Sequence, residues 1–216
     1  MRFLQRYFVV TVITLLMVGC SSAYYGTLEK FGVHKRDVLV DRVGEARDAQ
    51  EQAKDQFQTA YEQFATVVEV DGGDLEKQYT ILNRAYEHSV QKAEAVHDRI
   101  DAVESVSEAL FDEWEDELDD YSSKALRRDS ERKLQDTRRQ YEQLITAMKK
   151  AEEKIDPVLT VFHDQVLYLK HNLNARAIAA LQGEMMSLEK DVERLLREME
   201  ASIQEADEFI SHLQQG

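Results

Sequence analysis

The stretch that decides the fold is residues 75–121, LEKQYTILNRAYEHSVQKAEAVHDRIDAVESVSEALFDEWEDELDDY. Leu75, Tyr79, Leu82, Tyr86, Ala93, Val96, Ile100, Val103, Leu110, Trp114 and Tyr121 follow a three-four series broken only by Ser89, Ser107 and Glu117. That spacing gathers side chains on one stripe of an α-helix, which turns once every 3.6 residues. Such a seam, about 70 Å long at 1.5 Å per residue, must be buried against other helices.

Upstream, the same pattern runs through Leu39, Val43, Ala46, Ala53, Phe57, Ala60, Phe64 and Val67, with Gln50 the one position that misses the stripe. It predicts a first helix over residues 28–68, weakened locally by Gly32 and Gly44. Asp71-Gly72-Gly73-Asp74 ends it and starts the next, with the glycines free to take positive φ and Asp74 as N-cap. Downstream, a turn is expected at Asp119 to Ser123. A third helix from Lys124 then carries Leu126, Leu134, Tyr141, Leu144, Met148, Ala151, Ile155, Val158 and Phe162.

That stripe passes Pro157 in phase, which favours a kink inside one helix over a new N-cap at Asp156. It continues through Val166, Leu169 and Leu173. A last stripe follows: Leu188, Val192, Leu195, Met199, Ile203, Ala206, Ile210 and Leu213. A third turn at His171 to Asn174, where asparagine tolerates the left-handed region, gives four segments of similar length; a break at Pro157, or one continuous tail, gives an unequal bundle. The expected fold is all-α, an elongated antiparallel bundle or coiled coil of three to four long helices.

Composition agrees: one Pro and eight Gly in 216 residues, 32% charged and 43% hydrophobic, describe long helices with enough apolar surface for a core. The formal charge of −15 disfavours nucleic acid and anionic head groups as partners. A single cysteine allows no intramolecular disulfide.

That cysteine lies at the end of a distinctive leader. Arg2 and Arg6 form a basic start, Tyr7 to Val18 an apolar or hydroxyl-bearing run, and Gly19 a small residue before Cys20. This is the anatomy of an export signal, and the run is shorter than the roughly 20 residues a membrane-crossing helix needs. Met17-Val18-Gly19-Cys20 resembles the lipobox of bacterial lipoproteins, with Met17 where leucine is usual. The resemblance implies cleavage before Cys20, a lipid on its sulfur, and acylation (palmitate) of the new amine. Ser21 after the cysteine implies the periplasmic leaflet of an outer membrane.

Residues 1–19 are then a signal peptide, 20–27 a lipidated tether and 28–216 one helical domain. Removing 1–19, which hold two basic and no acidic residues, takes the formal charge from −15 to −17.

Three groups of residues invite chemistry. Glu94-Ala-Val-His97 has the Glu-x-x-His spacing of di-iron bundles, but no second copy accompanies it and both residues flank the seam, so no metal site is expected. The acid-rich run Asp112 to Asp120 surrounds Trp114 and Leu118. On a helix its carboxylates point around the cylinder and do not converge as in an EF-hand loop, so a solvated negative face is expected. Lys170, His171, Asn172, Asn174 and Arg176 form the densest cluster of mixed polar chemistry. A role in the turn or helix register is expected there, and it is also the candidate interaction patch.

No Gly-x-Ser-x-Gly, Gly-x-x-x-x-Gly-Lys-Ser/Thr or Gly-x-Gly-x-x-Gly is present, so neither catalytic residues nor a cofactor beyond the covalent lipid are expected.

With the lipobox, the long helices and Asp164-Gln165-Val166-Leu167-Tyr168-Leu169-Lys170-His171-Asn172-Leu173-Asn174-Ala175-Arg176-Ala177-Ile178 in view, the chain resembles a family of uncharacterised proteobacterial lipoproteins, a domain of unknown function. The resemblance implies a compartment and no activity. The expected function is a non-enzymatic envelope scaffold or interaction module, held to the membrane by its lipid and meeting a protein partner or further copies of itself. The alternative is a periplasmic ligand-binding or envelope-modifying protein using residues 170–176. A filled interior there favours the first, and a pocket of several hundred Å³ the second.

Overall fold

The computed structural model describes residues 34–69, 74–172 and 175–215, the side chains of 175–179 excepted. Among the described residues the helices are α1 (Lys35–Glu69), α2 (Leu75–Glu117), α3 (Lys124–Glu152), α4 (Ile155–His171) and α5 (Ala175–Gln215), with a 3-10 turn at Leu118–Asp120. The described residues contain no strand. α1 packs against α2 and α5, and α3 and α4 together pack between α2 and α5. This is a four-membered antiparallel bundle in which every chain neighbour is a spatial neighbour. At 1.5 Å per residue, α2 alone spans about 65 Å.

The caps follow from local chemistry. Asp74 accepts from the Lys77 amide at 3.1 Å, and Ser123 from the Leu126 amide at 3.4 Å, each satisfying a helix-start N–H that has no partner within its own helix. Helix breaks between α3 and α4, over Glu153 and Lys154, trace to Pro157. It lacks an amide proton, and its ring crowds the carbonyl four residues back, that of Glu153. The Lys154 amide turns to Ala151 O at 3.1 Å instead. Pro157 thereby becomes the third residue of α4, where its missing donor leaves nothing unpaired. Glu153 and Lys154 both stay right-handed, and Ala151, Ile155, Val158 and Phe162 are all buried, so the seam crosses the interruption in phase.

The core runs the length of the bundle. Leu39, Val43, Ala46, Ala53, Phe57, Ala60, Phe64 and Val67 of α1 are all buried, and so is Gln50, whose Oε1 accepts from Ser202 on α5 at 2.7 Å. A polar residue in the stripe was therefore part of the seam. Its hydrogen bond across the bundle fixes the α1–α5 register, since any slip would leave both groups buried without a partner. At the centre Phe162 stacks on Phe64, with ring centroids 4.6 Å apart and planes within 4°, and lies 6.2 Å from Phe57. This contact joins α1 to α4 diagonally.

Two expectations fail at one end. Leu126 and Tyr121, assigned to the core by spacing, are 60% and 41% exposed. Among the described residues, α1 begins and α5 ends several residues short of the α2–α3 turn, so no described helix lies opposite Leu126 and Tyr121. Over residues 124–139 only Ser130, Leu134 and Thr137 of α3 are buried.

Gln165 is 3% exposed, and neither side-chain oxygen nor nitrogen has a hydrogen-bond partner. A buried unsatisfied amide costs about 1–3 kcal/mol. We expect Gln165→Leu, of similar volume, to raise stability by about 1–2 kcal/mol in urea denaturation; a loss of stability would show that the amide has a partner in solution.

Candidate functional site

The α1–α2 and α4–α5 connections share one end of the bundle, opposite the end where the N-terminal residues enter α1. At the first end Asn172 closes α4. Its amide donates to Leu169 O at 3.2 Å, and its side-chain Nδ2 to Tyr168 O at 3.0 Å, so two of the last carbonyls are satisfied. Asn172 has φ −133° and ψ 59°. The break between α4 and α5 falls where the sequence placed the turn, and Asn172 itself caps α4 with its side chain and is not left-handed; Leu173 and Asn174 lie outside the described residues.

Lys170 and His171 are exposed beside it. Asn174 lies outside the described residues, as does the side chain of Arg176, so of the five candidate patch residues the structure brings together Lys170, His171 and Asn172. Cys20 also lies outside the described residues.

What the sequence reading did not single out is the apolar company of this patch. Leu167 and Tyr168 on α4, Ile81 on α2 and Met186 on α5 are exposed at this half of the bundle, Met186 at 70%. The signal was present, since Leu167 and Tyr168 are out of phase with the seam set by Phe162, Val166 and Leu169. The contact of the Tyr86 and His163 rings, with centroids 5.4 Å apart, aligns α2 with α4 so that Ile81 falls near the level of Tyr168. Exposed apolar side chains beside a lysine and an imidazole resemble the mixed chemistry of protein interfaces more than that of a catalytic cleft.

The other two candidates resolve into ion pairs between helices. His97 is an exposed residue whose Nδ1 lies 2.5 Å from Glu152 Oε1 on α3, with Asp101 3.6 Å from Nε2. The hydrogen bond to Glu152, then the charge of Asp101, raises the imidazole pKa above its ordinary value. Glu94 is exposed, and among the described residues no group of three or more His, Cys, Asp or Glu is placed to hold a metal ion.

The acidic run is less freely solvated than its composition suggests. Glu113 pairs with Lys35, Asp119 with Arg127 at 2.8 Å, and Glu115 with Arg138, whose hydrogen bond lowers the Glu115 pKa. Arg138 also sits over the Phe111 ring, 5.2 Å from its centroid, and Phe111 meets Tyr141 edge-on at 5.4 Å. Glu115 with Arg138 and Asp119 with Arg127 thus clamp the hairpin, and Glu113 with Lys35 ties it to α1.

The described depressions in the surface lie away from the 170–172 turn. One of about 220 Å³ is bordered by Trp114, Thr137 and Leu213, and two more open ones lie along α3 and beside His34. No described helix is long and apolar enough to cross a membrane.

Comparison with curated proteins and with solved structures gives no match. A family model described as "protein of unknown function (DUF2959)" matches residues 24–213, taking in every described helix except the last two residues of α5; the chain belongs to that family.

Proposed function

We propose that this chain is a lipid-anchored envelope protein whose bundle works by contact, as a rigid spacer that carries a protein-docking patch away from the membrane. The observation that carries the reading is one of polarity along the rod. The N-terminal residues, with Cys20 and the lipobox-like Met17-Val18-Gly19-Cys20, enter at one end. Lys170, His171 and the exposed Leu167 and Tyr168 lie toward the other, about 50 Å away along the helices at 1.5 Å per residue.

A filled core supports the mechanical part of this reading. Large side chains on all the helices, among them Phe57, Leu82, Leu144, Phe162 and Leu195, are fully buried. Such packing transmits position and load instead of enclosing a ligand. The lipid supports the anchoring part, because each buried acyl methylene contributes ~0.8 kcal/mol and two or more chains hold stably where one is marginal. The outer-membrane leaflet follows from Ser21 under the same proposal.

The test is crosslinking in intact cells from a photoreactive residue at position 171, with a second probe at the exposed position Glu94 near mid-rod. The expected result is a discrete adduct, identified by mass spectrometry, from position 171 and none from 94. Equal labelling from both positions, or none from either, would contradict a docking patch at the far end.

A further inference from the structure

Charge is unevenly spread over this chain. Residues 124–139, the first half of α3, carry seven cations against three acids, while the other 200 residues carry 20 cations against 39 acids. The net charge of −15 therefore describes the body of the protein and not this segment. Lys124, Arg128, Arg132 and Arg139 recur at intervals of four and seven, which sets them on one stripe of α3 about 22 Å long at 1.5 Å per residue. Arg128, Arg132 and Arg139 each stand two residues, a little over half a turn, from the buried Ser130, Leu134 and Thr137. The stripe is thus the outward face of the helix.

That face is open. All four cations are exposed. Arg132 and Arg139 pair with Asp129 and Asp136 of their own helix, in exposed contacts that hold weakly, and Lys124 and Arg128 have no ion-pair partner among the described residues. Arg128 and Arg132 border a shallow depression with Ala125, Glu131 and Gln135. Because α1 packs against α2 and α5, α3 lies diagonally across the bundle from the helix at which the described chain begins.

A complement lies on α2 and the turn after it. The run Asp112 to Asp120 holds seven acids and no cation, and Asp116, Glu117 and Asp120 are exposed with no ion-pair partner among the described residues. The pairs of Glu115 with Arg138 and of Asp119 with Arg127 put this run at the level of the basic stripe, since the two are arms of one antiparallel hairpin.

We propose that the basic outward face of α3 docks the acidic end of α2 from a second copy of this chain, the two rods side by side and parallel. The orientation rests on the lipid anchor proposed above: copies held in one membrane by their N-terminal ends stand parallel, hairpin beside hairpin at one height. The two faces lie on adjacent helices, so a two-fold axis along the rods seats each basic face on the other copy's acidic face at once and closes the pair. An anionic bilayer fits the stripe less well. α3 runs along the rod, and its side reaches head groups only if the acidic body is laid down beside them.

The test places a photoreactive residue at Gln135, exposed on the same face, in the full chain in intact cells that also express a differently tagged copy. The expected result is an adduct of two chains carrying both tags, joined from position 135 to the peptide that contains 112–120 of the other copy. Arg128→Glu with Arg132→Glu is expected to reduce that adduct at least about tenfold. Asp116→Lys with Glu117→Lys in the tagged copy is expected to restore it, which a merely misfolded variant would not allow.

Absence of the two-chain adduct in the unsubstituted protein would overturn the proposal. So would an adduct with phospholipid alone, which would name the membrane surface as the occupant, or with another protein alone. A two-chain adduct that survives the arginine reversals, or that the lysine substitutions fail to restore, would overturn it as well. Fractionation before crosslinking reads the anchor separately: a soluble chain defeats the anchor, and a missing adduct defeats this proposal in whichever fraction the chain is found.

Discussion

Phe162→Ala is expected to lower the stability of the bundle by about 3–5 kcal/mol, the range for removing a fully buried phenylalanine and leaving a cavity. Phe162 is completely buried, stacks on Phe64 at 4.6 Å and reaches Phe57 at 6.2 Å. It is the side chain through which α1 and α4, diagonal members of the bundle, touch. Its removal therefore costs aromatic contact with two partners as well as transfer energy.

Natural domains hold only about 5–15 kcal/mol in total, so a loss of this size takes a large share. Urea denaturation followed by circular dichroism at 222 nm measures it, with Lys170→Ala as a surface control expected within about 0.5 kcal/mol of the parent. A change below about 1 kcal/mol for Phe162→Ala would mean that the four segments do not pack around a common centre.

The second large effect concerns location. Cys20→Ala is expected to abolish lipid incorporation entirely, because the sulfur and the new N-terminus at Cys20 are the attachment points the lipobox-like sequence proposes. The uncleaved precursor still has the apolar run Tyr7 to Val18, which can itself hold to a membrane. The decisive comparison therefore places residues 21–216 behind an ordinary cleavable signal. That chain is expected to move from the membrane pellet to the soluble fraction, since no described helix can span a bilayer and the surface is strongly acidic. Unchanged pelleting after a high-salt wash would place the membrane affinity in the bundle instead of the lipid.

Most of the fold was legible because the apolar period survives almost every helix. The three-four series identified eight residues of the buried face of α1, to which the structure adds Val38, Gln50 and Val68, and Asp74 and Ser123 sit at their caps as carboxylate and hydroxyl chemistry dictates. The exceptions share a cause: periodicity reports which face of a helix is apolar and says nothing of whether a partner lies opposite. Leu126 and Tyr121 keep the period yet are exposed, because no described helix lies opposite them.

Gln50 broke the apolar pattern and is buried, because Ser202 opposite it supplies the hydrogen bond; that pairing is a tertiary fact, 152 residues apart in the chain. Gln165 is buried one position off the seam, since a helix in a four-membered bundle covers more of its circumference than a two-stranded coil does.

The candidate site was legible in its polar half only. Lys170, His171 and Asn172 stood out as mixed chemistry between two apolar runs, and Asn172 proved to be the cap of α4. Its apolar half, Leu167 and Tyr168, was hidden because both residues belong to a run that reads as continuous core; only the phase of Phe162, Val166 and Leu169 separates them from it. His97 and Glu152 illustrate the reverse. A carboxylate and an imidazole on one helix suggested a ligand pair, and the partner of His97 is on α3, where the contact ties two helices together.

The claim that orients everything else is that the mature chain starts at a lipidated Cys20. Intact mass spectrometry of the detergent-extracted protein tests it directly. The account predicts a polypeptide of residues 20–216 carrying the added mass of a diacylglyceryl group on sulfur and an acyl chain on the amine. A chain that still begins at Met1, or one of any length whose Cys20 is an unmodified thiol, would contradict it.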